Sequence, residues 1–286
     1  AKGSALRALD LCGVGLGDRG GPSVFASLAG GKCANLTSLK LARNELNDRS
    51  LSALVEHLQT EQCSLTALDL SSNHISGKRF RELLMHNRTL CVLDIRDQDE
   101  HLADDEDWAM IGRLLLRNNY EGHLGCLRCP PFDLYEGLEE LYASRADLGP
   151  GARALLFGIL SFNTSVHTLH LEACGLDIEA AKQLGISMAR NSSVTDLDIS
   201  GNMQHLSTAW IDAIVAMIHS HTALATVKLD GEALHISELR GSTALESVNF
   251  ASKAIGELSA HAIAKLVSSN TVLKELNLKS NELGSL

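Results

Sequence analysis

The sequence predicts an α/β solenoid, a fold built from repeated strand–helix units. Three observations lead to this prediction. The pattern L-x-x-L-x-L-x-x-N-x-L recurs along the chain, its copies begin about 28 residues apart, and apolar residues between the copies follow helical spacing. The chain has 286 residues, of which 45% are hydrophobic and 21% are charged, so it is long and apolar enough to bury a core.

Each copy of the pattern predicts one strand. Intact copies begin at Leu36, Leu65 and Leu273, and copies with conservative substitutions begin at Leu6, Leu90, Leu138, Val166, Val194, Leu224 and Leu245. Because side chains alternate along a strand, motif positions 4 and 6 share one face and position 5 lies on the other. We therefore expect ten residues at positions 4 and 6 to be buried: Leu39, Leu41, Leu68, Leu70, Leu169, Leu171, Leu197, Ile199, Leu276 and Leu278.

The segments that follow the strands predict a turn and then a helix. Motif position 9 is occupied by Asn44, Asn73, Asn202 and Asn281, whose amides can satisfy backbone groups in the turn and form a ladder between repeats. Several helical segments end in an asparagine, a residue that tolerates left-handed backbone angles: Asn87, Asn163, Asn191 and Asn270. Strand, turn and helix in this order give parallel strands with right-handed crossovers.

The chain resembles the ribonuclease-inhibitor-like class of leucine-rich repeats over essentially its whole length. Three features carry this resemblance: the period of about 28 residues, the helix in every regular repeat, and Asn or Cys at motif position 9, where Cys174 is the cysteine. The resemblance implies a horseshoe-shaped solenoid, with a parallel sheet on its concave side and helices on its convex side. We expect residues 1–286 to form one such domain. The resemblance does not define a function, because the same solenoid serves inhibitors, GTPase activators, immune sensors and cytoskeletal proteins.

Two irregular repeats interrupt the pattern, at 96–137 and at 230–244. Within the first, a degenerate copy begins at Leu124 and the next begins at Leu138, an interval of 14 residues that is barely enough for a parallel crossover. Either 124–129 is a strand with an extended return, which gives eleven strands, or it is an insertion loop, which gives ten. The second irregular repeat has room only for a short turn of helix at 234–239.

The two ends of the chain lack the polar caps that a finished solenoid requires. We therefore expect the chain to be part of a longer protein. The open ends would then contact the rest of that protein or another subunit.

Cysteine content and hydropathy predict a cytoplasmic location. The seven cysteines do not have the spacing of a disulfide framework, so we expect free thiols in a reducing compartment. No segment approaches 18 consecutive apolar residues, so we expect no membrane partner.

Composition and motifs argue against several classes of function. The net charge of −10 argues against a nucleic-acid partner. No P-loop, G-x-S-x-G or H-E-x-x-H motif is present, so we expect no catalytic residues, no cofactor and no enzymatic activity. We also expect no metal, because Cys126-x-x-Cys129 has no second ligand pair. The acidic run after Asp97 has Leu102 and Trp108 where a calcium loop needs Gly and Glu.

Motif position 5 defines a column of side chains on the concave face. In chain order it reads Asp10, Lys40, Asp69, Asp94, Arg128, Tyr142, His170, Asp198, Lys228, Asn249 and Asn277. An acid-rich face with tyrosine and arginine anchors suits protein recognition. The predicted protein-binding residues lie in the middle repeats: Asp69, Asp94, Arg96, Asp97, Arg128, Tyr142, Arg145, His170, Glu172 and Asp198.

The sequence therefore predicts a non-enzymatic protein–protein interaction scaffold or a ligand-sensing module. We expect its partner to be a protein with a basic patch. The alternative is a regulator of a small GTPase, resembling the Ran-activating family, which shares this repeat class although no family-specific motif matches. A panel of small GTPases assayed for stimulated hydrolysis would separate the two.

Overall fold

The structure is a computed structural model that describes residues 5–28, 34–58, 60, 63–85, 87–98, 104–117, 120–144, 148–202 and 207–284. The chain forms two compact units. Unit 1 comprises Ala1–Glu136 and Gly149–Asn163, and unit 2 comprises Gly137–Leu148 and Thr164–Leu286. The organisation of the whole chain as one repeat domain stays a prediction.

Unit 1 alternates short strands with helices. Its strands are β1 (Ala8–Asp10), β2 (Ser38–Lys40), β3 (Ala67–Asp69), β4 (Val92–Asp94), β5 (Cys126–Cys129) and β6 (Phe132–Leu134). Its helices are α1 (Gly17–Ser27), α2 (Ser52–Leu58), α3 (Gly77–Met85), α4 (Asp105–Leu115) and α5 (Pro150–Leu160). Strands β1 to β5 pair in parallel, and each helix from α1 to α4 contacts the next, so the unit has one strand layer and one helix layer.

Unit 2 follows the same plan. Its strands are β7 (Glu140–Tyr142), β8 (Thr168–His170), β9 (Asp196–Asp198), β10 (Thr226–Lys228), β11 (Leu234–His235), β12 (Ser247–Asn249) and β13 (Glu275–Asn277). Its helices are α6 (Ile178–Arg190), α7 (Thr208–Ser220), α8 (Ile236–Leu239) and α9 (Glu257–Val267). Strands β7 to β10 pair in parallel, β12 pairs in parallel with β13, and α7 contacts both α6 and α9. No helix in the described ranges is long and apolar enough to cross a bilayer.

The predicted parallel pairing of the repeat strands is confirmed, but two additional strands, β6 and β11, depart from it. The described strands form three sheets, and two strand pairs are antiparallel: β5 with β6, and β10 with β11. Residues 126–129 do form a strand parallel to β4, so the alternative with eleven parallel repeat strands is confirmed. The chain returns through Pro130 and Pro131 directly into β6, because two residues suffice for an antiparallel turn whereas a parallel return needs a dozen or more.

The predicted core is present except at its last strand. Eight of the ten expected residues, from Leu39 to Ile199, are buried. Leu276 and Leu278 are only half-buried, which contradicts the prediction. Both lie on or next to β13, the last described strand, which is paired on one side by β12 and receives no cover from a following strand among the described residues.

The asparagine ladder predicted at motif position 9 is present, and its members are buried except for Asn281, which is half-buried. The Asn73 side chain donates to the carbonyls of Leu41, Leu70 and Ser71, and its Oδ1 accepts from the backbone of Asn44 (3.1 Å) and Leu46 (3.0 Å). Each such amide therefore satisfies backbone groups of its own turn and of the preceding repeat. The same arrangement recurs at Asn44, Asn202 and Asn281.

In two repeats, a side chain other than asparagine makes hydrogen bonds of the ladder. Gln98 Nε2 donates to the Leu70 carbonyl at 2.7 Å and its Oε1 accepts from the Ile75 backbone at 3.1 Å. Cys174 Sγ donates to the Ala143 carbonyl at 2.8 Å. The longer glutamine side chain keeps both donor and acceptor roles, whereas the thiol keeps chiefly the donor role.

The six described cysteines are free thiols, and Cys33 lies outside the described residues. Cys63, Cys129 and Cys174 are buried. Burial raises the pKa of Cys129 far above its ordinary value, so this thiol is an apolar core residue and not a reactive one.

Glycines allow α4 and α5 to pack in direct backbone contact. Because β5 is followed by a hairpin and not by a helix, these two helices become neighbours. A Cβ atom at Gly112 would overlap the backbone of Ala154, and one at Gly158 would lie 2.9 Å from Leu115 Cβ. The Asp105 carboxylate also accepts from the first backbone N–H groups of α5, at Gly151 (2.9 Å), and so caps that helix.

We predict that Gly112→Ala destabilises the protein even though alanine is the better helix former by about 1 kcal/mol. Overlap with the Ala154 backbone cannot be relieved by a side-chain rotation, so we expect a net loss of about 1–3 kcal/mol in the free energy of unfolding. Urea unfolding followed by circular dichroism measures this loss.

The matched control is Gly185→Ala in α6, where the nearest atom to a new Cβ is Met217 Cβ at 4.0 Å. This substitution should leave stability unchanged or raise it by up to about 1 kcal/mol. Equal stability of the two variants would contradict close backbone packing between α4 and α5.

Candidate functional site

The outward side chains of β1 to β5 line up as motif position 5 predicts. Asp10 lies opposite Lys40, Lys40 opposite Asp69, Asp69 opposite Asp94, and Asp94 opposite Arg128. The column of outward side chains at motif position 5 is thus confirmed within unit 1.

Asp94 does not lack a positive partner, although its neighbour Asp69 is also acidic. Arg96 binds it with two hydrogen bonds, from Nε to Oδ1 (3.0 Å) and from a terminal nitrogen to Oδ2 (2.7 Å). Arg128 approaches the same carboxylate at 3.8 Å. Asp69 is held differently, since its Oδ1 accepts from the backbone and the hydroxyl of Ser71.

Asp133 contacts the predicted binding residues but was not itself predicted from the sequence. It lies on β6 directly opposite Arg128, which donates to its two carboxylate oxygens at 2.6 and 2.8 Å. These hydrogen bonds lower the pKa of Asp133 and raise that of Arg128. The adjacent Pro130 and Pro131 were the available signal for a hairpin that would place residue 133 beside residue 128.

Asp94, Arg96, Arg128 and Asp133 form what we name the charged cluster. Its two carboxylates balance its two guanidinium groups, and Arg96 also lies 3.7 Å from Asp133. Tyr135 stands beside it, with its ring centre 5.9 Å from the Arg128 guanidinium carbon. A partner that used either arginine as an anchor would have to displace an internal carboxylate.

Asp97 lies at the start of the acidic run. It is exposed and adopts a left-handed conformation (φ 54°), which aspartate tolerates. Residues 99–103 of that run lie outside the described residues, whereas its last part forms the start of α4, where the Asp104 side chain accepts from the Asp107 N–H at 2.9 Å. In the part of the chain that the structure describes, no three His, Cys, Asp or Glu side chains are grouped to hold a metal ion.

Unit 2 presents a second outward column with an aromatic pair at its end. Tyr142 lies opposite His170, His170 opposite Asp198, and Asp198 opposite Lys228. The Tyr142 and His170 rings stack with centroids 4.3 Å apart and planes 4° from parallel. The Tyr142 hydroxyl donates to Glu140 Oε2 at 2.6 Å, which raises the pKa of the phenol.

Tyr142 is 69% exposed and is the most exposed large apolar side chain in the described ranges. Its neighbours on the same strand point inward or pair with it: Leu141 is buried, and Glu140 holds the hydroxyl. The stack and the hydrogen bond together fix the ring in one orientation. An exposed tyrosine held in this way loses little conformational freedom when a partner covers it.

The acidic residues beside the aromatic pair are partly satisfied by local hydrogen bonds. Burial alone would raise the pKa of Asp198, but hydrogen bonds from Ser200 and Lys228 (3.2 Å) outweigh it and lower the pKa. Asp196 accepts from the hydroxyls of Thr195 and Thr226. Glu172 follows β8 and is half-exposed, whereas Arg145 lies outside the described residues.

We name the outward residues of β7 to β10 the sheet face of unit 2; its charged members are Glu140, Asp196, Asp198 and Lys228. Three carboxylates face one ammonium group, so this face is net negative, unlike the balanced charged cluster of unit 1. The ten predicted binding residues thus divide between the two units.

Comparison with known proteins places the repeats in a family. A family model described as a leucine-rich repeat matches residues 32–55, 61–78 and 269–286. The ribonuclease inhibitor of Sus scrofa is 26% identical over 306 aligned residues, which cover 87% of this chain and 65% of that protein. The ribonuclease inhibitor of Mus musculus is 26% identical over 185 residues, which cover 58% of this chain and 40% of that protein. The chain thus spans less than two thirds of these relatives.

Solved structures are less similar to this chain in sequence than the ribonuclease inhibitors are. The tropomodulin C-terminal domain of Caenorhabditis elegans is 12% identical, with a TM-score of 0.41 over 54% of this chain and 83% of that one. The leucine-rich-repeat-containing protein LegL7 of Legionella pneumophila is 19% identical, with a TM-score of 0.37 over 96% of this chain and 84% of that one. Neither similarity bears on function.

The family matches agree with the structure of each unit, in which parallel strands alternate with helices and buried amides link the turns. Leucine-rich-repeat proteins of this kind generally act as protein-interaction scaffolds. The chain is an α/β protein built from leucine-rich repeats that is similar to the ribonuclease inhibitors.

Proposed function

We propose that this protein is a non-enzymatic interaction module that binds a protein partner, with the aromatic pair Tyr142–His170 at the centre of its binding surface. The observation that supports this most strongly is the exposed, oriented ring of Tyr142. Tyrosine is enriched among the residues that dominate binding energy, because it offers a large contact area and a hydrogen-bonding group. Ribonuclease-inhibitor-like proteins are also typically non-enzymatic binding modules.

The charge around the aromatic pair favours a partner with a basic patch. Glu140, Asp196 and Asp198 surround the pair on the sheet face of unit 2, and Glu172 lies close in sequence to His170. A partner lysine or arginine could lie over the Tyr142 ring and approach Glu140, which combines a cation–π contact with charge attraction.

The predicted residues of unit 1 take a secondary part in this proposal. Asp94, Arg96 and Arg128 are engaged in the charged cluster, and a partner must compete with Asp94 for Arg96 and with Asp133 for Arg128. Asp69 and Asp97 contribute negative charge that attracts a basic partner at long range. The cytoplasmic location remains a proposal that depends on the free thiols.

No observation on either face favours a GTPase regulator over a general scaffold. The alternative rests on the shared repeat class alone, and the two predicted arginines that the structure describes, Arg96 and Arg128, are both paired with carboxylates and so are not free to stabilise a transferring phosphate. The scaffold is therefore the function we propose.

We predict that Tyr142→Ala weakens binding by more than about 1 kcal/mol, because it removes the exposed ring. Tyr142→Phe should keep most of the affinity, since the ring and its stack on His170 remain. Partners captured from native extract can be ranked by calorimetry or biosensor titration against these variants.

The control for this prediction is Lys182→Ala on α6, an exposed change on the helix layer. It should leave the affinity unchanged. Loss of binding from Lys182→Ala, with none from Tyr142→Ala, would place the binding surface on the helices and not on the sheet.

Charge attraction predicts a salt effect on the rate of association. Raising the ionic strength from about 0.05 to 0.5 M shortens the screening length, so the association rate constant should fall while the dissociation rate constant changes little. Stopped-flow association with the identified partner measures this. An association rate that is insensitive to salt would contradict steering by the acidic face.

A further inference from the structure

The histidine that follows α7 occupies the place of an asparagine in other repeats. After three helices, an asparagine Oδ1 accepts from the backbone N–H three residues later: Asn87 from Leu90 (2.7 Å), Asn191 from Val194 (2.9 Å) and Asn270 from Leu273 (2.9 Å). After α7, His221 Nδ1 accepts from Leu224 N–H at 3.1 Å. The imidazole thus replaces the amide oxygen as the acceptor that ends the helix and turns the chain toward β10.

This contact fixes the protonation state of the imidazole. A ring nitrogen that accepts a hydrogen bond must carry a lone pair, so His221 is neutral and its single proton is on Nε2. The side chain is only 4% exposed, and Nε2 is buried with no hydrogen-bond partner among the described residues. An added proton would therefore place a charge in a buried site, where desolvation disfavours it and only nearby backbone groups, Asn191 among them, favour it.

A permanent positive charge stands next to this histidine. The Arg240 guanidinium donates to the carbonyls of Ile218 (2.6 Å), His219 (3.0 Å) and His221 itself (2.9 Å), and so caps the C-terminal end of α7. Other titratable or charged groups lie on α7 and on the two helices packed against it: Asp212, His219, Glu179, Lys182, Arg190, Glu257, His261 and Lys265. Of all these charges, that of Arg240 acts on the His221 ring.

We propose that protonation of His221 releases the loop between α7 and β10, so that unit 2 is built to lose stability in mildly acidic surroundings. The proton would occupy Nδ1, which ends the hydrogen bond from Leu224 and leaves that buried N–H without an acceptor. It would also create a second cation beside Arg240. Because Leu224 lies two residues before β10, the released loop leads directly into the strand that carries Lys228 on the sheet face of unit 2.

The pH range follows from the direction of the shift. Burial lowers the pKa of His221 below its ordinary 6.5, the Asn191 backbone opposes this in part, and the Arg240 charge lowers the pKa further. Below pH 6.5 the unfolded chain therefore binds a proton that the folded chain does not. The contribution of neutral His221 to the free energy of unfolding is fully present above pH 6.5. It is lost as the pH drops from 6.5 toward the lower pKa of the folded state. The equilibrium constant for unfolding should rise by up to about tenfold per pH unit in that range.

The test compares the full chain with His221→Asn by urea unfolding at pH 7.5 and pH 5.5. Asparagine restores the acceptor that Asn191 and Asn270 provide, but it cannot titrate. We expect the unfolding constant of the original chain to rise several-fold more than that of the variant as the pH falls. His57, whose pKa burial also lowers, is present in both chains and its effect cancels. Equal responses of the two chains would overturn the proposal.

A second measurement needs no variant, so it decides the matter even if His221→Asn fails to fold. Nitrogen-15 chemical shifts of the imidazoles report which ring nitrogen carries the proton and the pH at which each ring titrates. We expect His221 to carry its proton on Nε2 at pH 7.5 and to titrate with a pKa below 6.5. Protonation of His221 at or above pH 6.5, or a proton on Nδ1 at neutral pH, would refute the proposal. Neither result depends on the proposed binding function.

Discussion

Where a ladder asparagine is buried, the turn after the strand encloses backbone polar groups, and the packing of the repeats depends on how those groups are satisfied. Short strands of three residues cannot do this by pairing alone. The ladder amides solve the problem because one asparagine side chain both donates to carbonyls and accepts from N–H groups, within its own turn and in the preceding repeat. At Asn73 this gives five hydrogen bonds in a fully enclosed site, so the repeats are linked by polar contacts as well as by leucine packing. An unpaired polar group in such a site would cost about 1–3 kcal/mol.

Departures from the regular repeat are accommodated by small local changes that also shape the candidate surface. The missing helix after β5 is replaced by a hairpin, and glycines let α4 and α5 close the gap in the helix layer. The same hairpin brings Asp133 to Arg128 and so completes the charged cluster. Charge balance in unit 1 therefore follows from an irregularity in the repeat, whereas the regular strands β7 to β10 keep a surplus of carboxylates around the aromatic pair. The uneven distribution of charge between the two faces is what directs the proposed partner to Tyr142 and His170.

Much of this could be predicted from the sequence, because period-two alternation and the repeat interval are strong signals. These two signals predicted the parallel strands, the buried leucines, the register of the outward columns and the asparagine ladder. They could not give β6 and β11, since antiparallel pairing of two or three residues leaves almost no periodic signal. They also could not give the stack of Tyr142 on His170 or the pairing of Arg128 with Asp133, because these depend on side-chain orientation across strands. Half-burial of Leu276 escaped prediction for a different reason: the motif assumes a neighbour on both sides.

The buried ladder amide is what links the repeats in this interpretation of the structure. The most direct test is the free energy of unfolding of Asn73→Ala compared with that of Asn249→Ala. Asn249 is an exposed, outward-facing asparagine whose Oδ1 accepts a single local hydrogen bond from Ala251. We expect Asn73→Ala to lower the free energy of unfolding by about 3 kcal/mol or more, since several enclosed backbone groups lose their partners. Asn249→Ala should lower it by less than about 1 kcal/mol. A small and equal loss for both variants would show that leucine packing alone holds the repeats together, and would contradict the account.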